Sequence, residues 1–265
     1  MIEFISGEPW RGVKYGCTTR AGGISSDAWE SLNLALHVGD RPEAVHENRL
    51  RLTRALPGEP YWLEQVHGTH VIDVDKSAIS GRDAHGQGIA APEPCADAAI
   101  TTQPNRVLAV MTADCVPVVI ADIEGKALAV AHAGWRGLAA GVLETTFRAL
   151  QSRVPRAAGW RAWVGPCIGQ ARFEVGDEVR RAFVEVDPLA ARYFGVGKER
   201  DKWHADLASL TCHRLEILGV QSIESAGLCT YERADLFYSY RRTPVTGRMA
   251  TVAWLTPPPD PYDLP

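Results

Sequence analysis

Residues Met111–Gly137 read MTADCVPVVIADIEGKALAVAHAGWRG, and two apolar runs inside them, Val116–Ala121 and Ala127–Ala131, decide the fold class. Continuous runs rich in Val, Ile and Ala are the pattern of strands buried on both faces. A short turn through Glu124-Gly125 joins them into a hairpin. Cys115 follows Asp114 just before the first strand, and His132 stands just after the second. Folding the hairpin carries the positions that flank its strands back beside each other, so thiol and imidazole converge. Gly134-Trp135-Arg136-Gly137 then turns the chain into a helix. A buried hairpin with a reactive residue at each outer end is the expected scaffold of a site.

Working upstream, Val107–Ala113 and Asp97–Thr102 read as two further strands. Residues 76–96 carry glycine and proline without periodicity and are expected to form a long loop, a candidate lid that includes His85. Val71–Asp75 alternates like a half-buried strand and Tyr61–Val66 is expected to be another, with His67-Gly68-Thr69-His70 between them. A helix is expected after Asp40, a plausible N-cap, with Pro42 in its first turn and Val45, Arg49, Leu52 and Leu56 on one face until Pro57-Gly58 stops it. Residues 11–19 read as a strand closed by the Gly22-Gly23 turn.

Downstream, Leu138–Leu150 is expected to be one helix, Gly159–Val164 a strand, and Gly165–Gly169 a rigid loop. Val175–Val186 and Pro188–Phe194 read as helical. Ala205–Leu218 reads as an amphipathic helix with Leu207, Leu210, Arg214, Ile217 and Leu218 on one side and Gly219 as terminator. Val220–Ser225 and Met249–Leu255 read as strands. The mixture lacks βαβ regularity, so the expected class is α+β: a single domain, residues 1–265, of mixed, β-sandwich-like sheets flanked by helices.

Composition narrows the function classes. The 265 residues carry 28 Lys+Arg against 32 Asp+Glu, a net charge of −4, which argues against nucleic acid as the main partner. No run approaches the ~20 apolar residues of a membrane span. The first residues lack a positively flanked apolar stretch, so no secretory signal is read there and a cytoplasmic protein is expected. Six cysteines without a CxxC pair are expected to be thiols.

His67, Cys115 and His132 have the chemistry of a metal site. Imidazole with thiolate favours a borderline-soft ion such as zinc, with copper the alternative, and three protein ligands leave a position open. Against this stands the plainer reading of a turn histidine, a core thiol and a satisfied histidine; spacing alone does not separate the two.

QVHG (Gln65–Gly68), TADCVPV (Thr112–Val118) and HAGWRG (His132–Gly137) resemble the signatures of the YfiH-like, laccase-domain family. That family is also called polyphenol oxidoreductase and is treated as purine nucleoside phosphorylases. The likeness continues, collinear, through TTRAGG (Thr18–Gly23), SLNL (Ser31–Leu34), HVGD (His37–Asp40), ENR (Glu47–Arg49), GPCIG (Gly165–Gly169) and EVGDEV (Glu174–Val179). It ends in CT (Cys229-Thr230), SYRR (Ser239–Arg242) and TGRMA (Thr246–Ala250). Two departures are Thr243-Pro244, where members usually carry Asp-Gly, and the length of the 76–96 loop.

The resemblance implies zinc on His67, Cys115 and His132. It also implies phosphorolysis of adenosine, inosine and S-methyl-5′-thioadenosine, and deamination of adenosine. Deamination would use water acidified by the ion to attack purine C6. Asp114 would either shuttle the proton or orient His67 or His132. For phosphate and substrate the candidates are Arg20, Asn33, Arg49, Arg136, Arg241 and Arg248, since guanidinium matches phosphate bidentately. Arg20, beside the glycine turn, and Arg49, beside Asn48, rank slightly first. Trp135 and Tyr240 are candidates to stack on a purine.

Two other enzyme classes compete. In a cysteine hydrolase or amidase that edits cell-wall precursor peptides, Cys115 would be the nucleophile and His132 or His67 its base. A copper polyphenol oxidase fits poorly: eight histidines include no H-x-H pair, and Met111 is the only methionine near Cys115. A monomer and a homodimer are both compatible with the sequence.

Overall fold

Alternate residues of the central hairpin face two different hydrophobic layers. In the computed structural model, which describes residues 2–76 and 92–258, the first strands are β1 (Phe4–Ile5) and β2 (Val13–Thr18). Helix α1 (Pro42–Arg54) and strands β3 (Val71–Asp73), β4 (Ala98–Thr101) and β5 (Leu108–Thr112) follow. The hairpin itself is β6 (Val116–Asp122) and β7 (Leu128–Ala133), paired antiparallel with Pro117 opposite His132 and Val119 opposite Val130. Val118, Ile120, Ala129 and Ala131 point to one layer, Val119, Ala121, Leu128 and Val130 to the other. That is the period-2 consequence of a strand covered on both sides.

One of those layers is closed by helices. After the hairpin come α2 (Trp135–Ala140), α3 (Val142–Arg153), β8 (Trp160–Val164), β9 (Glu174–Gly176) and α4 (Asp177–Val184). Then follow β10 (Phe194–Val196), β11 (Lys202–Ala205), α5 (Leu207–Ile217), β12 (Ser222–Ser225) and β13 (Met249–Leu255). The hairpin is the middle of a six-stranded mixed sheet, β12-β8-β6-β7-β4-β3. Leu143 and Phe147 of α3, Phe183 of α4 and Leu210 of α5 pack on one face of it. On its other face lies a four-stranded sheet, β1-β2-β13-β5, through Leu108, Val110, Met249 and Ala253. The far side of that second sheet is covered by Leu32, Leu34, Trp62 and Leu52 of α1 against Ala109, Met111, Ala250 and Val252. The order of layers is helix, sheet, sheet, helices, in agreement with the expected sheet sandwich flanked by helices. A small antiparallel sheet, β10-β11-β9, lies outside the two.

Several elements differ from expectation for local reasons. Tyr61–Val66 is not a strand; Tyr61 and Glu64 make only isolated bridges, to Leu108 and Cys95. There the Gln65 side chain takes the place of a strand, since its amide donates to the Met111 carbonyl (2.8 Å) and accepts from the Met111 N–H (2.7 Å). The helix expected over Leu138–Leu150 is two helices, broken at Gly141 with φ 96°. Residues 175–176 of the expected Val175–Val186 helix belong to strand β9, and Pro188–Tyr193 is a 3₁₀ helix. In α5 the buried face is Leu207, Leu210, Thr211, His213 and Leu215, while Ile217 is exposed. The N-cap of α1 is Arg41, not Asp40; the buried Asp40 carboxylate instead accepts from Ser25, Asn33 and the Arg41 N–H. His132 belongs to β7 itself. The expected lid with His85 falls mostly on residues 77–91, which lie outside the described residues. Among the described residues no helix is long and apolar enough to cross a membrane.

Candidate metal centre and substrate cavity

Three chain segments meet at the open end of the hairpin. β5 ends at Thr112, and Asp114 turns the chain into β6 with φ 104°, which sets Cys115 at the mouth of the sheet. β7 delivers His132 from the neighbouring strand. His67 comes from the loop before β3 and has φ 60°, a left-handed backbone held at a cost of about 1–3 kcal/mol. Cys115 Sγ lies 3.8 Å from His67 Nε2, and one ligand atom from each of His67, Cys115 and His132 lies within 4.8 Å of the others. The rings of His67 and His132 stand edge to face, 4.8 Å between centroids.

Asp97, which the sequence reading passed over, organises this triad. Its fully buried carboxylate accepts from the backbone N–H of Val66 (3.2 Å), His67 (2.9 Å) and Gly68 (2.6 Å), and it contacts His132 Nδ1 at 2.8 Å. Burial alone would raise its pKa, but the His132 hydrogen bond and the Gly68 and Val66 N–H groups together bring it below the usual carboxylate value. An ionised carboxylate only accepts, so Nδ1 of His132 carries the proton and Nε2 is turned toward the triad. One acid thus aims His132 and shapes the loop that presents His67. A signal was available: Asp97 stands directly before the all-apolar Ala98–Ile100, so its side chain enters the core and must find donors.

The electrostatics favour a thiolate. Burial pushes the Cys115 pKa up, but His132 and His67 more than offset this and bring it down to about 6. Burial lowers that of His132, yet the Cys115 thiolate and Asp97 raise it to about 9. The pair is therefore thiolate and imidazolium when no cation is bound.

The donor set fits a tetrahedral ion. Zinc bonds of ~2.0–2.3 Å to imidazole and thiolate place ligand atoms ~3.3–3.8 Å apart. The observed spacing needs a contraction of at most about 1.5 Å. His132 already has the carboxylate behind it that metal-bound histidines commonly use.

Glycines make room for the cluster. A Cβ on Gly134 would stand 2.6 Å from His67 Cδ2 and 3.1 Å from Cys115 Sγ, and one on Gly137 would stand 2.8 Å from the Gly68 carbonyl oxygen. Gly134 itself has φ −65° and ψ 157°, which alanine adopts freely. Gly134→Ala is therefore expected to leave folding stability within about 1 kcal/mol of wild type. Zinc affinity should fall by about 10–100-fold, because the methyl displaces the His67 ring. Urea unfolding alongside a chelator competition titration separates the two effects.

The triad opens into a cavity of about 440 Å³ lined by His37, Asp114, Trp135, Arg136, Ile168, Phe173, Leu207, Tyr240, Arg241 and Arg248 among others. That size is typical of a small-molecule site. Three of the expected arginines therefore meet here. Arg136 lies over the Trp135 ring, Arg241 over Phe173 and Arg248 beside Tyr240.

The two arginines ranked first do not line it. Arg20 donates to the Glu30 and Ala234 carbonyls. Arg49 is paired with Glu93 at 2.6 Å, donates to the Leu34 carbonyl and stacks on Trp62. The carbonyls of Glu30, Ala234 and Leu34 and the Glu93 carboxylate consume both guanidiniums internally. Asn33 is buried, bonded to Ala35, Asp40 and the Arg248 N–H, and reaches the cavity only through Arg248. Asp114 does not orient either histidine: its oxygens accept from Thr230 Oγ1 (2.6 Å) and the Arg241 N–H (2.7 Å), which fastens the wall carrying Arg241.

Known proteins resemble this chain along most of its length. The family model described as multi-copper polyphenol oxidoreductase laccase matches residues 14–256. The Escherichia coli purine nucleoside phosphorylase YfiH is 44% identical over 247 residues, 92% of this chain and 95% of its own. A Pseudomonas aeruginosa purine nucleoside phosphorylase is 43% identical over 243 residues, 92% and 93% of the two chains. Among solved structures, the Neisseria meningitidis protein NMB0706 superposes with a TM-score of 0.85 at 40% identity over 97% of this chain and 99% of its own. YlmD from Geobacillus stearothermophilus does so at 0.84 and 30% identity over 95% and 94%. With the motifs, the layered fold and the His-Cys-His cavity in agreement, this chain belongs to the polyphenol oxidoreductase laccase family, the family of the YfiH-type proteins.

Proposed function

We propose that this protein is a zinc-dependent purine nucleoside phosphorylase acting on adenosine, inosine and S-methyl-5′-thioadenosine, and that it also deaminates adenosine. The observation that carries the reading is the His67–Cys115–His132 cluster, backed by Asp97 and opening into a cavity with three arginines. The phosphorylase names of relatives more than 40% identical over nine-tenths of the chain support the reaction class.

His67, Cys115 and His132 would hold the ion. When bound, such an ion supplies Lewis acidity and lowers the pKa of water. Everything else is done by the chain. In phosphorolysis a phosphate oxygen forms the bond to ribose C1′ while the C1′–N9 bond breaks and its electron pair leaves with the purine. Trp135, Phe173 and Tyr240 offer aromatic faces for the base, and the arginines offer charge for the phosphate. Asp114 acts here as a positioning residue, since both its oxygens hold the Thr230–Arg241 wall. In deamination the purine C6–N bond breaks, oxygen from water takes its place and ammonia leaves.

The test is phosphate-dependent release of hypoxanthine from inosine by purified protein of measured zinc content, with ammonia release from adenosine followed in parallel. Base release that requires both phosphate and zinc is the expected result. No release by zinc-loaded protein overturns the reading.

One feature favours a second reading. Cys115, His132 and Asp97 are also arranged as nucleophile, base and orienting acid, the order a cysteine hydrolase uses. Iodoacetamide separates the two. A metal-held thiolate resists alkylation until chelator is added, whereas a free nucleophile reacts at once.

A further inference from the structure

We propose that the phosphate co-substrate binds at one end of the cavity, between Arg248 and His37, and that the other two arginines of the cavity are not its primary ligands. This assignment rests on the phosphorylase reading and adds to it a subsite and a residue, His37, outside the expected substrate contacts.

Arg248 is built in place. Its backbone N–H donates to Asn33 Oδ1 at 3.0 Å, and its Nη1 donates to the Thr246 and Gly247 carbonyls, each at 3.0 Å. Gly247 has no room for a side chain: a Cβ there would stand 2.7 Å from the Tyr238 ring and 3.0 Å from Asn33 Cβ. The SLNL and TGRMA segments are thereby locked together around one guanidinium. Two carbonyls occupy Nη1, which leaves Nη2 and Nε as the edge able to meet an anion bidentately.

The charge of Arg248 is not neutralised. Among the described residues no carboxylate pairs with it, in contrast to Arg49 with Glu93 and Arg153 with Asp73 and Asp75. The nearest acids are the Asp114 carboxylate, already engaged by Thr230 and the Arg241 N–H, and Cys115, which faces His67 and His132. Partial burial accordingly destabilises its cation and lowers its pKa. Arg136 and Arg241, by contrast, are exposed, and Arg241 spends a donor on the Glu174 carbonyl. A desolvated cation without a partner is costly, and an anionic ligand removes that cost.

His37 completes the subsite. It lies on the 3₁₀ helix Leu36–Val38 and lines the same cavity. His37 is solvent-exposed on one side; desolvation on its cavity side and the Arg248 charge lower its pKa, so it meets the site as a neutral imidazole able to donate one N–H. Phosphate between the two groups would accept from both.

The experiment measures KM for phosphate and for inosine separately in wild type, Arg248→Met, Arg248→Lys and His37→Asn, with zinc content quantified in each. Thermal stabilisation by inorganic phosphate alone, and by inosine 5′-monophosphate, is recorded on the same proteins. The expected result is a rise of about 10–100-fold in the phosphate KM of Arg248→Met, with the inosine KM within about 3-fold and zinc retained. Stabilisation by inorganic phosphate should be lost with it. His37→Asn should show the same selectivity with a smaller rise, and Arg248→Lys an intermediate one. If Arg248→Met does not fold, the lysine and His37 variants carry the same test.

An unchanged phosphate KM overturns the assignment, as do two KM values that rise together or a loss of nucleotide stabilisation without loss of phosphate stabilisation. Absence of phosphorolysis in zinc-loaded wild type is a different failure, that of the phosphorylase reading itself.

Discussion

Cys115→Ala is expected to yield a folded protein without zinc, in which phosphorolysis of inosine falls by at least ~10³-fold, about 4 kcal/mol of transition-state stabilisation. Cys115 supplies the anionic ligand of the triad. Despite burial, His132 and His67 bring its pKa to about 6, so at neutral pH it is already the thiolate that binds a cation. Removing it leaves two imidazoles with no negative charge between them. The fold should survive, because Cys115 lies only half-buried at the start of β6, outside the two clusters that the hairpin strands build. Such a small partly exposed side chain contributes about 1 kcal/mol or less to stability. Elemental analysis of the purified variant and a hypoxanthine release assay read both losses at once. Wild-type turnover by a metal-free Cys115→Ala protein would remove the ion from the reaction altogether.

What could be read in advance follows from where each residue's partners lie along the chain. The hairpin was legible because burial on both faces writes itself locally, as unbroken Val, Ile and Ala, and strands Val116–Asp122 and Leu128–Ala133 match the expected runs closely. The Cys115–His132 half of the triad was legible as geometry from the hairpin, whereas His67 joins it only through the Gln65–Met111 and Asp97–loop contacts. Helix breaks such as Gly141 and the conversion of residues 175–176 to a strand depend on tertiary partners, and β11 pairing with β9 is one. The placement of the arginines was hidden for a related reason. A glycine turn next to Arg20 looks like an anion cradle in sequence, yet in space the guanidinium is held by the carbonyls of Glu30 and Ala234, which lie far from it along the chain. Of the arginines that reach the cavity, Arg136 lies in the first turn of α2, while Arg241 and Arg248 lie in the SYRR and TGRMA segments, whose loops have few local constraints to read.

Asp97 carries the largest single structural role at the site, and its replacement should cost both stability and metal. In Asp97→Ala, the N–H groups of Val66, His67 and Gly68 and Nδ1 of His132 all lose their acceptor in a position that water reaches poorly. Each buried unsatisfied donor costs ~1–3 kcal/mol. Partial relaxation of the exposed His67 loop lowers the sum, so a destabilisation of about 3–5 kcal/mol is expected. Asp97→Asn keeps the shape and one acceptor oxygen but turns an NH₂ toward donors. It should lose less stability, about 1–3 kcal/mol, while zinc affinity falls about 10–100-fold because His132 is no longer held by a charge.

The sign of the pH effect is definite. The folded-state pKa of Asp97 lies below the unfolded value of about 3.9, so its contribution is fully present above that value. It is lost as the pH falls through the lower folded value, and wild type should weaken there more steeply than Asp97→Asn. Urea unfolding from pH 7 down to pH 3, with zinc competition at pH 7, measures both. If Asp97→Asn matches wild type in stability and in zinc affinity, the geometry of His67 and His132 must be held by the strands alone.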